Sequence, residues 1–593
     1  RIVTTCSGDA RLKGTSTVTS KALPGTPDFV KLPGDAGVAI NIVDSKATVH
    51  FGGTSQASVV GELELAATNT VSVESKADAS ASGATAVGGT LALSEVNTTT
   101  KAYIDGTAAT QSNSVKVAAA SVNTVTTSAK AATKGAKKQT PAEKAAAASK
   151  SEETLAKYKD QASTSDGSVE VAAAVAIANV NSITQAYVES SGTQTATGAA
   201  SIISKASNTS SVTADGSSAS GAVGVGAAVG VNVGVLLNQA RVADNAKISS
   251  NGLTLAATMP TAGKNSFVTS ATSGAGASNV GVAGALGVNV LVNKTTATLE
   301  GDKDGGGVGA DVNANGGDLI VDAANTSESK LTVGASVKPA TASEPAAVGV
   351  GASVGMNVVV NTATAEIEDG ARVSGAKDLD LTAKTDHTIT KAVTGGASGA
   401  NVAVTPLVAV TVAVNSTSAR LGTGDELTLS GDYASSAEQK STATTTATGQ
   451  TQGDKVAIGA SIGLTIATDT VSAEVERNIT ATDGVTVEAK STAKSSTSAT
   501  ASVKGGEKAK DDGTAPAPGG GAGSGQSVDE KVASQGTEAK SSGKKTATKA
   551  PTTTAGSGGD TAGKLDGTKS TPNTADGTES GGVSVAAAIG VNV

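Results

Sequence analysis

The sequence contains almost no large aromatic side chains, with three Phe, four Tyr and no Trp in 593 residues. An ordinary globular core draws much of its burial from such side chains and from Leu-sized residues. A series of compact globular domains is therefore excluded, although the chain is long enough for several. Full disorder is excluded as well, because 38% of the residues are hydrophobic and many of them are Val in patterned runs.

Other scarce residues exclude further classes of protein. The 12 Pro, and the lack of a three-residue period among the 72 Gly, rule out collagen. Cys6 is the single cysteine, so the chain cannot form an intrachain disulfide. His50 and His387 are far apart and have no cysteine partner, so we expect no zinc site. The net charge is −8, without an overall basic footprint, and we expect no nucleic-acid partner.

An internal repeat dominates what is present. Its clearest copies end at Val242, Leu299 and Ile367 and read VGVNVGVLLNQARV, LGVNVLVNKTTATL and VGMNVVVNTATAEI. Each copy ends in Ala, any residue and an aliphatic residue, and this Ala marks the register. Most of the marker alanines are 54 to 57 residues apart, which indicates a repeat architecture. The markers are Ala47, Ala102, Ala186, Ala240, Ala297, Ala365, Ala419 and Ala473.

Within each copy, apolar residues alternate with a period of two. In 222–233 the valines share one face, while Gly, Ala and Asn share the other. Shorter alternating runs follow, such as LTLAA at 253–257 and DLDLTA at 378–383. Alternation of this kind predicts β-strands, because successive side chains of a strand point to opposite faces. We therefore predict an all-β fold, a parallel β-solenoid whose coils stack to bury their inner faces. A series of β-sandwich modules is the second interpretation, disfavoured by the lack of a core Trp.

The solenoid interpretation carries three more detailed expectations. We expect each 54-residue unit to make two or three short coils. We expect Val and Ala ladders inside a narrow bore and Gly-rich outer faces, which would permit close lateral packing. Asn232, Asn289 and Asn357, at the same position of three copies, would then be several coils apart and out of contact.

The domain organisation follows from where the repeat is interrupted. We expect solenoid coils in 1–127 and 166–502, and the start of a truncated repeat in 581–593. A Lys/Ala-rich insertion at 128–165 contains a candidate helix that begins near Pro141. A Gly/Ser/Thr/Lys-rich insertion at 503–580 resembles a flexible linker. We interpret the chain, which starts at Arg1 and ends within a repeat, as a piece of a larger protein.

One segment suggests a metal site. The run GDKDGGGVGAD at 301–311 contains the Gly-Gly-x-Gly-x-Asp pattern of calcium-binding nonapeptide repeats. Asp302, Asp304 and Asp311 are its candidate calcium ligands, since calcium prefers oxygen donors. A true array needs tandem copies, and none follows, so the alternative is a polar Gly-rich turn. We expect no other cofactor. The chain lacks a nucleophile elbow, a P-loop and a zinc-protease motif, and we expect no enzymatic activity.

The apolar runs raise the question of membranes. Residues 221–237 carry no charge, but they are dense in Gly and have a period of two, which disfavours a transmembrane helix. Transmembrane β-hairpins of a pore-forming toxin are a second reading. A buried solenoid core is the favoured one.

The motif AVGVGAAVGVNVGVLLNQARV resembles the repeats of very large bacterial exoproteins, including filamentous-haemagglutinin-like adhesins, autotransporter passengers and the fusobacterial leukotoxin type. The resemblance covers about 37 to 500 and the last twelve residues. It implies secretion, a right-handed parallel β-helix and a role at the cell surface. We therefore expect a non-catalytic extracellular fibre, stalk or adhesin shaft, able to self-assemble into a filament or sheath. Its partners would be further repeats, identical copies, or a host or neighbouring cell surface. A secreted membrane-active toxin is the alternative.

Overall fold

The computed structural model describes residues 3–23, 34–83, 85–135, 169–218, 222–302, 309–339, 346–505, 573–574 and 583–593. Within these ranges the chain forms β-strands and turns, without a helix, and every strand pair is parallel. Successive coils stack into a parallel β-solenoid, which confirms the predicted fold class.

Each coil contributes one short strand to sheet A and long strands to sheets B and C. Sheet A contains β1 (Val3–Cys6), β4 (Gln56–Val59), β7 (Ala109–Ser112), β10 (Thr193–Ala196), β13 (Lys247–Ser249), β17 (Asp311–Asn313) and β20 (Arg372–Ser374). Two further short strands in the last coils, β23 (Leu427–Leu429) and β26 (Ile479–Ala481), pair with each other.

Sheets B and C are long and face each other. Sheet B contains β2 (Ala10–Ala22), β5 (Glu62–Gly83), β8 (Ser114–Gly135), β11 (Ala200–Ser218), β14 (Leu253–Thr258), β15 (Asn265–Ala277), β18 (Leu319–Pro339), β21 (Leu379–Gly399), β24 (Tyr433–Gly453), β27 (Val485–Gly505) and β28 (Asn573–Thr574). Sheet C contains β3 (Gly34–Phe51), β6 (Thr85–Gly106), β9 (Val169–Ser190), β12 (Val223–Val242), β16 (Val280–Leu299), β19 (Val348–Ile367), β22 (Val402–Leu421), β25 (Val456–Val475) and β29 (Val583–Asn592).

The expectation of two or three coils per repeat is wrong: each repeat of about 54 residues makes one coil. Adjacent copies pair directly, as Ala365 does with Ala419, its partner 54 residues later. The coil is long because the Ser/Thr-rich stretch of each repeat is strand as well. In β21, for example, the strand continues from DLDLTA through 384–399. Strands of about 20 residues span about 65 Å, and the nine strands of sheet C stack to about 40 Å, so the solenoid is a broad, flat ribbon.

The expected assignment of the two strand faces is also wrong. Along β12 the glycines, Ala228 and Asn232 are buried, whereas the valines up to Val235 point outward. The cause is the close approach of sheets B and C near the turn that joins them. A Cβ at Gly226 would overlap the carbonyl oxygen of Gly274, and one at Gly351 would overlap that of Gly396. Little space is left here for the inward side chains of sheet C, so most of them are Gly, Ala or Ser and its Val residues occupy the opposite face.

The interior widens towards sheet A, where it becomes aliphatic. Leu253 and Leu255 at the start of β14 pack with Val242 at the end of β12 and Ile248 of sheet A. The corresponding Leu, Val and Ile residues of other coils extend this cluster along the ribbon. Burial of such side chains contributes about 1.5–3 kcal/mol each. A second cluster between sheets B and C, which includes Phe267, Leu331 and Val333, completes the hydrophobic core.

A polar ladder separates the narrow and wide parts of the interior. Asn232, Asn289 and Asn357 are adjacent in register, contrary to the sequence-based expectation, because one repeat is one coil. All three are fully buried. The Asn289 amide donates to the carbonyl oxygens of Phe267 (3.1 Å) and Lys330 (3.0 Å) in sheet B. The ladder thus links the two sheets through hydrogen bonds that burial makes necessary.

The same register corrects one marker. Ala102 pairs with Val49, so the marker of the first copy is Val49 and not Ala47. Asn41 is the corresponding ladder residue. Its amide donates to Ser75 Oγ (2.8 Å) and to the carbonyl oxygen of Glu74 (2.9 Å).

The strands also set the limits of the two predicted insertions. β8 continues to Gly135 and β27 to Gly505, so the first residues of 128–165 and of 503–580 belong to sheet B. Register is kept across the first insertion, where Thr85 of β6 pairs with Val169 of β9. The candidate helix that begins near Pro141 lies outside the described residues.

Candidate interaction surface

The outer face of sheet C is the most distinctive surface of the described structure. Its side chains form columns that run along the ribbon, one residue from each strand, and each column is named here after its member in β12. The Val229 column contains Val38, Leu91, Val175, Val229, Leu286, Val354, Val408, Ile462 and Ile589. The Val231 column contains Ile40, Leu93, Ile177, Val231, Val288, Met356, Val410, Leu464 and Val591.

Both columns are aliphatic in all nine strands, and much of their surface is in contact with solvent. Val354 is 43% exposed, and Leu286 is 38% exposed. Neighbouring columns differ in size: the Ala227 column contains Ala173, Gly284, Ala352 and Ala460, for example. We define the aliphatic face as the outward residues of sheet C from the Val223 column to the Val235 column. In β6 and β9 it ends at the Val231 column, because polar residues such as Glu95, Asn179 and Asn181 occupy the next two columns, and in β3 it ends at the Val233 column. It is a ridged apolar surface with a shallow channel along the Ala227 column.

The aliphatic face ends at a polar rim, towards the ends of the sheet C strands. Tyr103 and Tyr187 stack with ring centroids 4.7 Å apart, and the Arg241 guanidinium lies 4.5 Å above the Tyr187 ring. Burial in this stack raises the pKa of Tyr187 to about 12. Arg241 also pairs with Glu300 at 3.1 Å and with Glu189. Arg241 is therefore engaged within the chain.

Sheet B presents the opposite chemistry to solvent. Its outward residues include exposed Thr388 of β21 and ion pairs between neighbouring coils, such as Lys384 with Glu438 at 2.8 Å. The pKa of Glu438 is lowered chiefly by this hydrogen bond from Lys384. The ribbon is therefore amphipathic, with one polar broad face and one aliphatic broad face.

Two buried basic groups lie between the sheets. Lys391 of β21 is fully buried, and its ammonium donates to the carbonyl oxygen of Gly355 at 3.3 Å. Burial lowers its pKa from the ordinary 10.5 to about 7. His387 contacts Ser327 Oγ through Nδ1 at 2.8 Å, and burial lowers its pKa to about 3. Neither side chain is open to a substrate, so we interpret both as structural groups.

The candidate calcium ligands are only partly within the described residues. Asp311 begins β17 and is aligned, in the register of sheet A, with Lys247 and Arg372 of the neighbouring coils. Asp304 lies outside the described ranges. In the described ranges, no group of three His, Cys, Asp or Glu side chains is arranged to hold a metal ion. Calcium binding by Asp302, Asp304 and Asp311 stays a prediction.

A row of carboxylates that the sequence analysis missed follows the corner between sheets A and B. Asp378 accepts a hydrogen bond from the backbone amide of Asp432 (2.8 Å) and one from Lys377 Nζ (2.7 Å). The Lys377 contact is the main cause of its lowered pKa. Burial raises the pKa of nearby Asp380. Asp378 thus fixes the turns of successive coils. The signal in the sequence was the Asp directly before the first residue of several sheet B strands, as Asp318 precedes Leu319, Asp378 precedes Leu379 and Asp432 precedes Tyr433.

Nothing in the described ranges is a helix long and apolar enough to cross a membrane. Comparisons with known proteins give no matching family model, no similar curated protein and no similar solved structure. The resemblance to the repeats of large bacterial exoproteins therefore stays a prediction, and the chain is placed by its fold alone, as a parallel β-solenoid.

Proposed function

We propose that the chain is a structural, non-catalytic part of an extracellular surface fibre, stalk or adhesin shaft, which can assemble further into a filament or sheath. The observation that supports this proposal is the continuous register of sheets B and C. Sheet C pairs strand to strand across nine coils, and each added coil would lengthen the ribbon by about 4.8 Å. A solenoid in which each coil contacts only its neighbours can extend without a change in its cross-section.

Its mechanism is mechanical. Parallel backbone hydrogen bonds run along the whole ribbon, and buried ladders such as Asn361 to Asn415 (2.9 Å) and Asn415 to Asp469 (2.9 Å) run in the same direction. A force along the axis is therefore shared by many bonds at once. Identical copies, further repeats or a cell surface would be the partners, through the ends and the broad faces.

Electron microscopy and diffraction of the purified 593-residue chain test this proposal. We expect flat particles about 65 Å wide and a diffraction reflection at about 4.8 Å, the spacing between strands along their axis. Compact globules without this spacing would contradict the ribbon and the structural role together. Release of reducing ends from cell-surface polysaccharides, measured on the same preparation, would contradict the non-catalytic assignment.

A secreted membrane-active toxin is the second candidate, and the exposed aliphatic face is the observation that favours it. Leakage of dye from phosphatidylcholine–phosphatidylglycerol vesicles separates the two functions. A structural ribbon releases no dye above the buffer control, whereas a toxin releases dye in proportion to its concentration.

A further inference from the structure

The aliphatic face is too large to be an ordinary surface patch. It covers thirteen positions along each of the strands β12, β16, β19, β22 and β25 and nine to eleven positions along the other four strands of sheet C, or about 1,300 Å² from the usual strand dimensions. The largest apolar patch on a typical monomer is about 300–600 Å². A stable protein interface requires about 800 Å² from each partner. The face is therefore large enough for a complete interface.

We propose that the aliphatic face of sheet C binds the same face of a second copy of this chain. Two ribbons would then pair into a four-layer assembly in which both polar sheet B faces point to water. This inference rests on the proposed structural function and deepens it, since it names the lateral partner and the surface involved.

The composition of the face favours protein over lipid as the occupant. Surfaces that lie in a membrane interface usually carry Trp or Phe and unpaired Lys or Arg at their edges. The described columns of the aliphatic face are almost entirely Val, Ile, Leu, Ala and Gly. At the rim, the two arginines are paired, Arg241 with Glu300 and Arg420 with Glu366 at 2.6 Å. Lys46 and Lys294 are exposed there, but they lie on β3 and β16, which are separated by three strands, and do not form a basic edge. The net charge of −8 also disfavours an anionic bilayer.

The order of the columns favours a particular arrangement of the two copies. A two-fold axis that runs along the ribbon through the Val229 column places the Ala227 column opposite the partner's Val231 column. Small side chains such as Ala352 then face large ones such as Met356, which is the complementarity that packed sheets require. The polar rims fall at opposite edges and stay in water. Interfaces commonly have this division into an apolar core and a polar rim.

The first test replaces three outward residues of the Val229 column. Leu286→Lys, Val354→Lys and Ile462→Lys are combined in one chain. The matched control combines Thr326→Lys, Thr388→Lys and Thr500→Lys, which are exposed positions on sheet B with the same change in charge. Mass is measured by sedimentation velocity over a range of chain concentrations. We expect the wild type and the control to have twice the mass of one chain, and the aliphatic-face variant to have the mass of one chain. Circular dichroism should show the same β-sheet content in all three proteins.

A second test examines the two-fold axis. In a Cys6→Ser background, Val408→Cys places a thiol on the axis, and Val223→Cys places one at the edge of the face. A short bis-maleimide should join two copies of the Val408→Cys protein and leave the Val223→Cys protein uncrosslinked. Equal cross-linking of both would contradict the arrangement along this axis.

Other outcomes would refute the pairing of aliphatic faces, and each of them either leaves the proposed structural function intact or refutes it as well. A wild type that stays monomeric yet forms ribbons by electron microscopy refutes lateral pairing and leaves the structural role. A monomer that binds phosphatidylcholine–phosphatidylglycerol vesicles, with binding lost in the aliphatic-face variant, assigns the face to lipid. If the chains still pair after the three Lys substitutions, the interface between copies is a different surface. Globules without β-sheet would refute the ribbon itself.

Discussion

Sheet C and sheet B differ in which of their faces carries the larger hydrophobic side chains, and over much of sheet C these side chains lie on the outer face. In β19, Gly351, Ser353 and Gly355 point into the protein, while Val350 and Val354 point out. Sheet B follows the usual rule, since Val393 of β21 is buried and its neighbour Thr394 points outward. The difference teaches that distance between sheets, and not hydrophobicity alone, decides which side chains are buried. Where sheet C approaches sheet B closely, most inward side chains of sheet C are small, and its Val residues lie on the outer face.

A charge placed on the inner face of sheet C should have the largest effect. Asn289→Asp loses the amide that donates to Phe267 and Lys330 and leaves a carboxylate facing two carbonyl oxygens. We expect a loss of about 3–5 kcal/mol in the free energy of unfolding. The loss should shrink as the pH falls, because burial raises the pKa of the new carboxyl and protonation removes its charge. Urea unfolding at neutral and acidic pH measures both effects.

The matched control for this change is Asn181→Asp on the outer face of β9. Asn181 lies in the polar part of the outer surface of sheet C, outside the aliphatic face, so the new carboxylate stays hydrated and we expect a change within about 0.5 kcal/mol. Equal losses at Asn289 and Asn181 would contradict the assignment of the two faces.

A change of size on the inner face should have the next largest effect. Gly351→Val forces its side chain against the backbone of Gly396, and we expect a loss of about 3 kcal/mol. Ala352→Val, on the adjacent outward residue, should cost less than about 1 kcal/mol, since Val is a good strand residue. Both changes are made in the Leu286→Lys, Val354→Lys and Ile462→Lys background, so that pairing of the aliphatic faces does not add to the cost of Ala352→Val. Thermal unfolding of the two proteins measures the contrast. A costlier Ala352→Val than Gly351→Val would reverse the faces and restore the arrangement expected from the sequence.

The sequence was sufficient to predict the fold class and the strands with alternating apolar residues, because period-two alternation and the Ala marker depend on local geometry. It was insufficient to predict that each repeat makes one long coil. The Ser/Thr-rich stretches, such as 384–399, hide their strand character because several of their buried residues are polar, as Thr385, His387 and Lys391 are. The prediction of which strand face is buried was wrong for a related reason. Alternation shows that two faces differ, but only the separation of sheets B and C shows which one can be buried.

The buried Lys391 offers a pH-dependent version of the same comparison. Its folded-state pKa is about 7, below the ordinary 10.5, so the unfolded chain binds more protons between these values. Stability should therefore rise with pH from about 7 to 10, by about 2 kcal/mol over two pH units. Lys391→Met should remove this rise and should unfold at a higher urea concentration at pH 7.

Lys384→Met is the control for Lys391→Met, since it changes an exposed lysine of the same strand. The Glu438 contact raises the pKa of Lys384, so its titration lies above this pH window. The rise between pH 7 and 10 should persist in that variant. A flat profile in the wild type would show that Lys391 has a hydrated partner or a different position.

The smallest expected effect concerns the polar rim of the aliphatic face. Arg420 pairs with Glu366 (2.6 Å), Asp369 (2.8 Å) and Glu476 (2.5 Å), and its side chain is partly exposed. Exposed pairs contribute about 0.2–1 kcal/mol, with networks at the upper end, so Arg420→Met should cost about 0.5–1 kcal/mol. Salt screens exposed charges, and the cost should fall as the ionic strength rises. Urea unfolding at low and high salt measures it. A cost that is independent of salt would show that Arg420 stabilises the strand ends by packing of its aliphatic stem, as the side chains of the neighbouring columns do. The aliphatic face would then extend into the region that is assigned here to the polar rim.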